Sequence, residues 1–273
     1  MKKENTGKKR KWNNYLVVGM LMTGITLAIA IIGIFWTPYD TTAMSASEKF
    51  VGPSLTHWFG TDNFGRDIFS RVMKGVGTTI FISVFVVAVS SLVGVLVGAL
   101  TGYFGGIVDE IMMRITDAIN GFPSILLALV VISVLGSGVE KLILALAIVF
   151  CPSFIRIVRS EFIKYRDADF VARARLMGVG KMRILFVHIL PNILSTFLVS
   201  VVIGFNNAIL AESGMSFLGI GVQPPEASLG KMLSDAQGYL TSAPWYALLP
   251  GLAIVWIVLG FSLLGEGLRR LGN

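Results

Sequence analysis

The chain has 273 residues, of which 54% are apolar and 14% charged, with a net charge of +7 and a mean hydropathy of +0.76. A soluble domain carries about 25% charged residues, so a water-soluble enzyme or a nucleic-acid binder does not fit, even at an isoelectric point near 9.6. Lys and Arg gather at the ends of apolar runs and form no stripe of the kind nucleic acid needs. A lone cysteine, Cys151, rules out an intrachain disulfide, and with only His57 and His188 beside it a Cys/His zinc site is hard to build. The composition is that of an all-α integral membrane protein.

A helical span needs about 20 apolar residues, because the hydrocarbon layer is about 30 Å thick and each residue rises about 1.5 Å. A basic tail, residues 1–14, precedes the first uncharged run, Tyr15–Trp36, which is 22 residues long. A signal peptide has a shorter apolar core of about 7–15 residues and a small-residue cleavage site, so this run reads as a span. An extracytoplasmic segment, 37–77, carries Gly, Pro and Asp clusters that read as turns. Residues 78–266 form the core, with spans at 78–104, 115–135, 139–158, 189–211 and 245–265, an inner loop at 156–188 and an outer loop at 212–244; residues 267–273 are a second tail. The fourth span holds just 14 uncharged residues, Leu142–Ile155, so Lys141 and Arg156 must reach out towards the headgroups. It carries Pro152, which bends helices. Six spans place both termini on one side. The two tails, the loop around Arg114 and the loop 156–188 hold 17 of the 23 Lys and Arg residues, so the positive-inside rule puts both termini in the cytoplasm.

Gly94, Gly98, Gly102 and Gly106 recur every four residues, which puts them on one helix face and predicts close approach of a neighbouring helix. The polar inventory of the spans is sparse. Asn206, Asn207 and Glu212 fall in the outer half of span five, and Asp117 sits near the inner end of span three. Ionisable groups in lipid are costly and face a cavity or a partner; for Glu212 a pathway role and a place at the water edge both stand. Trp36, Trp58, Trp245 and Tyr246 lie where interface anchors belong, as does Trp12 on the inner side. Cys151 reads as an apolar filler and His188 as an interface residue.

The inner loop has its own order. Phe170, Ala174 and Met177 lie at i, i+4 and i+7, one face of a helix, with Arg173 and Arg175 elsewhere. Gly178 and Gly180 break that helix, and a second helical run leads through Leu190-Pro191 into span five. A short amphipathic helix of this kind lays its apolar face in a groove on a soluble partner; a solvated basic loop is the plainer alternative.

The spacing of Ala172-Arg173-Ala174, Gly178 and Leu190-Pro191 resembles the EAA loop of ABC importer permeases. It departs from that pattern at Ala172, Arg173 and His188. Three further stretches narrow the resemblance: Phe59-Gly60-Thr61-Asp62-Asn63-Phe64-Gly65-Arg66-Asp67 with Ser70-Arg71, Gly102-Tyr103-Phe104-Gly105-Gly106 with Asp109 and Arg114, and Glu212 followed by Ser216-Phe217-Leu218-Gly219-Ile220-Gly221 and Pro224-Pro225. Together they resemble the dipeptide/oligopeptide/nickel branch, the "C"-type subunit, over residues 57–250.

The resemblance implies a multi-pass protein of the cell (inner or plasma) membrane that is no enzyme. It would pair with a second homologous permease subunit, two ATPase subunits that bind ATP and Mg, and an extracytoplasmic solute-binding protein, in contact with lipid and with no nucleic acid. Peptides, nickel or a metal chelate are the expected solutes, and no cofactor or metal is expected on this chain. The coupling helix would run from about Asp167 to Met177, with Asp169, Phe170, Ala172, Arg173, Ala174, Met177 and Gly178, then Leu190 and Pro191, coupling it to the ATPase. Phe170, Ala174 and Met177 would be its docking face. Asn206, Asn207, Glu212, Ser216, Phe217, Gly219 and Gly221 are expected in the pathway or an outer gate, although for the last four a plain surface loop is the simpler reading. The chain has no P-loop; Gly180-Lys181-Met182 and Gly230-Lys231-Met232 lack the hydroxyl residue and the upstream glycine. A proton-coupled secondary carrier would place carboxylates near the midplane in repeated halves, and only Asp117 and Glu212 are candidates. An intramembrane protease would need a base near its nucleophile within the spans, and a metal channel would need acidic rings.

Overall fold

The computed structural model describes residues 13–272, so the Lys-rich tail and Trp12 lie outside the described residues. Among the described residues the chain is helical, with one isolated β-bridge between Thr61 and Asp67. Helix α1 (Asn14–Phe35) starts on Asn13, whose side chain accepts the Leu16 N–H, and α2 runs over Ile68–Phe104. Then come α3 (Gly106–Asn120), α4 (Ser124–Leu135), α5 (Val139–Arg166) and α6 (Asp169–Leu176). A short α7 (Lys181–Arg183) continues through a π-helical turn (Ile184–Ile189) into α8 (Leu190–Phe217), and α9 (Leu229–Ala236) and α10 (Pro244–Gly272) follow. Among the described residues five helices, counting Lys181–Phe217 as one, are long and apolar enough to cross a membrane, and a sixth crossing requires α3 and α4 together.

The third span is a correction. Residues 115–135 are not one helix: α3 and α4 meet at 94°, broken at Gly121-Phe122-Pro123. Pro123 forces Phe122 out of helical backbone and has no N–H to continue the ladder. The second span begins ten residues earlier than expected, at Ile68, because Asp67 caps the helix by accepting the Ser70 N–H at 2.7 Å. The inner loop is shorter than 156–188, since α5 stays helical to Arg166.

Helix α2 packs along α5, and three glycines make the seam. A Cβ on Gly94 would lie 2.4 Å from the Phe154 Cβ, one on Gly98 2.7 Å from the Ile155 carbonyl oxygen, and one on Gly102 2.6 Å from that of Arg159. The partner of this face is therefore the same chain. Gly106 does not join it: α2 ends at Phe104 with Gly105 as its cap, and nothing lies within 4 Å of a Cβ on Gly106. Glycines also bring α1 onto α10, with Gly19 against Leu264 and Gly267 against Leu16. Asn13 donates to the Gly267 carbonyl at 3.3 Å, so the beginning of α1 and the end of α10 share one end of the bundle, here called the terminal end.

Candidate coupling site and pathway residues

At the terminal end Ala99, Tyr103, Val158, Phe162, Val171, Ala174, Ile184, Leu185, Ile189 and Ile193 form one buried cluster. It gathers α2, α5, α6 and the π-helical turn, so α6 is clamped to the two helices that share the glycine seam. The clamp is also polar: Arg175 donates to the Arg166 carbonyl at 3.0 Å and lies 5.2 Å from the Tyr103 ring centroid.

Helix α6 closes in a Schellman turn. The Gly178 N–H donates to Arg175 and the Val179 N–H to Ala174, both at 3.0 Å, and Gly178 takes φ +75°. A left-handed residue at this place is the reason for glycine.

Of the expected docking face, Ala174 is 1% exposed and turned into the chain's own cluster, and Phe170 is half-buried beside Tyr165, whereas Met177 is 75% exposed. Phe170 and Ala174 mark the face that α6 lays on its own bundle, and Met177 does not share it. The free apolar tip is Leu176, 89% exposed, with Met177. Asp169, Ala172, Arg173 and Gly178 are exposed around it. Leu176 was missed because it falls off the i, i+4, i+7 stripe; two consecutive apolar residues before the glycine were the available signal.

Leu190 and Pro191 open α8. Pro191 has no N–H for the carbonyl four residues back, and the turn just before it is π-helical, with the Asn192 amide donating to the His188 carbonyl at 2.6 Å. The second helical run thus passes into the span without a break, as a single rod from Lys181 to Phe217.

Two ion pairs fix α3 to α5: Asp109 takes Arg159 in a fork at 2.5 and 2.6 Å, and Asp117 takes Arg156 at 2.5 Å. Asp109 and Arg159 were not singled out as a pair from the sequence, since they lie 50 residues apart.

At the far end Glu212 is fully buried, which removes the water-edge reading. Its carboxylate accepts from Thr79 Oγ1 at 2.8 Å and Ser216 Oγ at 2.7 Å, tying α8 to α2. Ser216 Oγ in turn accepts the Val222 N–H at 3.1 Å. A Cβ on Gly221 would fall 2.2 Å from that same Oγ, so Gly221 is a packing glycine within a closed knot. Gly219, at φ +81°, makes the second Schellman turn, and Phe217, Leu218 and Gly219 form the exposed part of the segment. Asn206 donates to Ser262 Oγ at 2.9 Å across to α10, while Asn207 is exposed. The pathway candidates therefore fall into two groups, a buried knot around Glu212 and separate contacts along α8.

A buried charge network before α2 completes the far end. Asp62 receives Arg66 Nε at 2.6 Å and sits 3.7 Å from Arg71 Nε, while His57 Nδ1 lies 2.9 Å from Asp67 Oδ1. Arg71 also donates to the Thr41 carbonyl, and Tyr246 to Asn63, so the loop is sewn to α2 and α10.

Residues 94–271 match the family described as the binding-protein-dependent transport system inner membrane component. The chain is 40% identical over 262 residues to the dipeptide transport system permease protein DppC of Alkalihalophilus pseudofirmus, covering 96% of this chain and 86% of that one. DppC of Haemophilus influenzae is 35% identical, covering 95% and 90%, and the glutathione transport system permease protein GsiD of Escherichia coli is 41% identical, covering 94% and 87%. A multi-pass bundle, a loop closed by Gly178 and held on α2 and α5, and these relatives agree: the chain belongs to the binding-protein-dependent transport system inner membrane components, the permease subunits of ABC importers.

Proposed function

We propose that the chain is one of two related permease subunits of an ATP-driven importer of short peptides, and that α6 with Gly178 is the lever by which two ATPase subunits move it. One observation carries the reading: an apolar tip, Leu176 and Met177, stands free at the end of a helix whose other face is locked onto α2 and α5. A partner that grips the tip moves the bundle as a body. ATP and Mg belong to the ATPase subunits, and no cofactor or metal is assigned to this chain. An extracytoplasmic binding protein delivers the solute to the far end, where Phe217, Leu218 and Gly219 are free to meet it. The terminal end is then cytoplasmic, which accords with the charge distribution and with the bond between Asn13 and Gly267.

Short peptides are the favoured cargo because the relatives are named for dipeptides and for glutathione, itself a small peptide. Nickel and metal chelates are not among the cargoes in those names. The test is uptake by proteoliposomes holding the complete complex with its binding protein. ATP-dependent entry of a labelled dipeptide or of glutathione is expected. Entry driven by a proton gradient without the ATPase subunits would overturn the reading in favour of a secondary carrier.

A further inference from the structure

Helix α4 has 12 residues, a rise of about 18 Å, against a hydrocarbon layer of about 30 Å. It begins just after Pro123 and ends with Leu135 at the far end, where Glu140 and Lys141 mark the membrane edge on α5. The 94° bend then carries α3 sideways, so the break at Gly121-Phe122-Pro123 lies some 12 Å short of the opposite edge. Irregular backbone at this depth is not tolerated against lipid, because the carbonyls that end a helix need partners. The Gly121 N–H returns to Asp117 and the Phe122 N–H to Ile119, but Pro123 has no N–H to offer. Gly121, Phe122, Pro123 and Ser124 are all exposed on the chain.

A second observation falls at the same level. Arg156 is 14 residues below Leu142 on α5, about 21 Å into the layer, and its guanidinium holds Asp117 with the two side chains 47% and 61% exposed. Charged groups at such depth face a cavity or one another. Here they are paired with one another, and both side chains stay exposed, as do the residues of the helix break. The glycine seam and the terminal cluster, by contrast, are buried and closely packed.

We propose that the break between α3 and α4, with the Asp117–Arg156 pair, lines a water-filled inner half of the translocation path, where a zwitterionic solute meets one carboxylate and one guanidinium. The placement rests on the chain being a membrane permease. The zwitterionic character of the solute rests on the peptide cargo proposed above, whereas the water path rests on neither that cargo nor the ATPase partner.

The test uses the complete transporter in proteoliposomes, with Cys151→Ser leaving this chain free of cysteine and labelling read on this chain alone. Asn120→Cys probes the break, Leu21→Cys on the exposed face of α1 gives the lipid reference, and Met182→Cys gives the solvated reference at the terminal end. A membrane-impermeant charged thiol reagent, added on the side that labels Met182→Cys, should modify Asn120→Cys roughly tenfold or more faster than Leu21→Cys. Adding Asp117→Asn frees Arg156 and should raise the ratio of anionic to cationic reagent rates at Asn120→Cys by about threefold. Ser124→Cys gives the same reading if Asn120→Cys does not assemble. Labelling as slow as at Leu21→Cys, or a charge ratio unmoved by Asp117→Asn, overturns the proposal. Rapid labelling in a complex that takes up no peptide would strike the proposed cargo and leave the water path standing.

Discussion

The glycine seam between α2 and α5 sets how closely the two helices approach, and Gly98→Val tests it. A Cβ at Gly98 would lie 2.7 Å from the Ile155 carbonyl oxygen, 2.8 Å from the Val158 Cβ and 3.0 Å from the Arg159 nitrogen. Two of those atoms are backbone, so no side chain can swing away. Relief to ordinary contact separates the helices by at least about 0.7 Å, and a gap of 0.5–1 Å already forfeits roughly a quarter to a half of each dispersion contact. With the two further methyls of valine, the overpacking cost is about 1–3 kcal/mol. At about 2–4 °C per kcal/mol for a chain of this size, the melting temperature of the purified complex should fall by roughly 2–12 °C. Gly24→Ala is the control, because nothing lies within 4 Å of a Cβ there and alanine favours helix, so its melting temperature should hold or rise slightly. Equal melting temperatures for Gly98→Val and the parent would refute the seam as a packing device.

Gly178→Val should uncouple ATP hydrolysis from uptake. The space around that Cβ is open, so the change costs left-handed backbone strain alone, about 1–2 kcal/mol, while Gly178→Asn, which tolerates that conformation, should keep most uptake. The ratio of ATP hydrolysed to solute taken up distinguishes the two, and full coupling in the valine variant counts against the lever. Glu212→Ala leaves the Thr79 and Ser216 hydroxyls without their acceptor, at about 1–3 kcal/mol for each group left unsatisfied; Glu212→Gln, which retains one oxygen, should lower the melting temperature less. Asp62→Ala strips the charge between Arg66 and Arg71, a loss of about 3–5 kcal/mol, and little folded protein should survive detergent extraction; recovery at the parent level would contradict the network's structural role. Gly221→Leu should fail in assembly before it affects transport, because its Cβ meets the Ser216 side chain and backbone at once.

Four of the spans were legible as long apolar runs, because a length requirement of about 20 residues is hard to meet by chance, whereas the fourth, with 14 uncharged residues, was legible only through the side its neighbours must lie on. The third misled for the same reason: hydropathy runs smoothly through Phe122-Pro123, and the stop is a backbone effect of proline that an apolarity window ignores. Gly94, Gly98 and Gly102 were legible as a contact face, but four-residue spacing continued to Gly106 beyond the point where Gly105 ends the helix. The helix of the inner loop was legible, whereas its outward face was not, since amphipathic periodicity reports that a side is buried and says nothing of whose surface buries it. The knot around Glu212 and the network around Asp62 depend on residues brought from distant segments, such as Thr79 and Tyr246. Each was visible as a motif before any partner could be named.

The claim that α6 is the grip of an ATPase is tested most directly by photo-cross-linking in the purified complex, with a photoreactive residue placed at Leu176 or Met177 and, as the control, at Leu55 on the far end. Leu55 is 97% exposed, so both ends offer a fully accessible site. The account predicts an ATPase adduct from positions 176 and 177 and none from position 55. An ATPase captured from position 55, or from neither end while uptake remains intact, would contradict it.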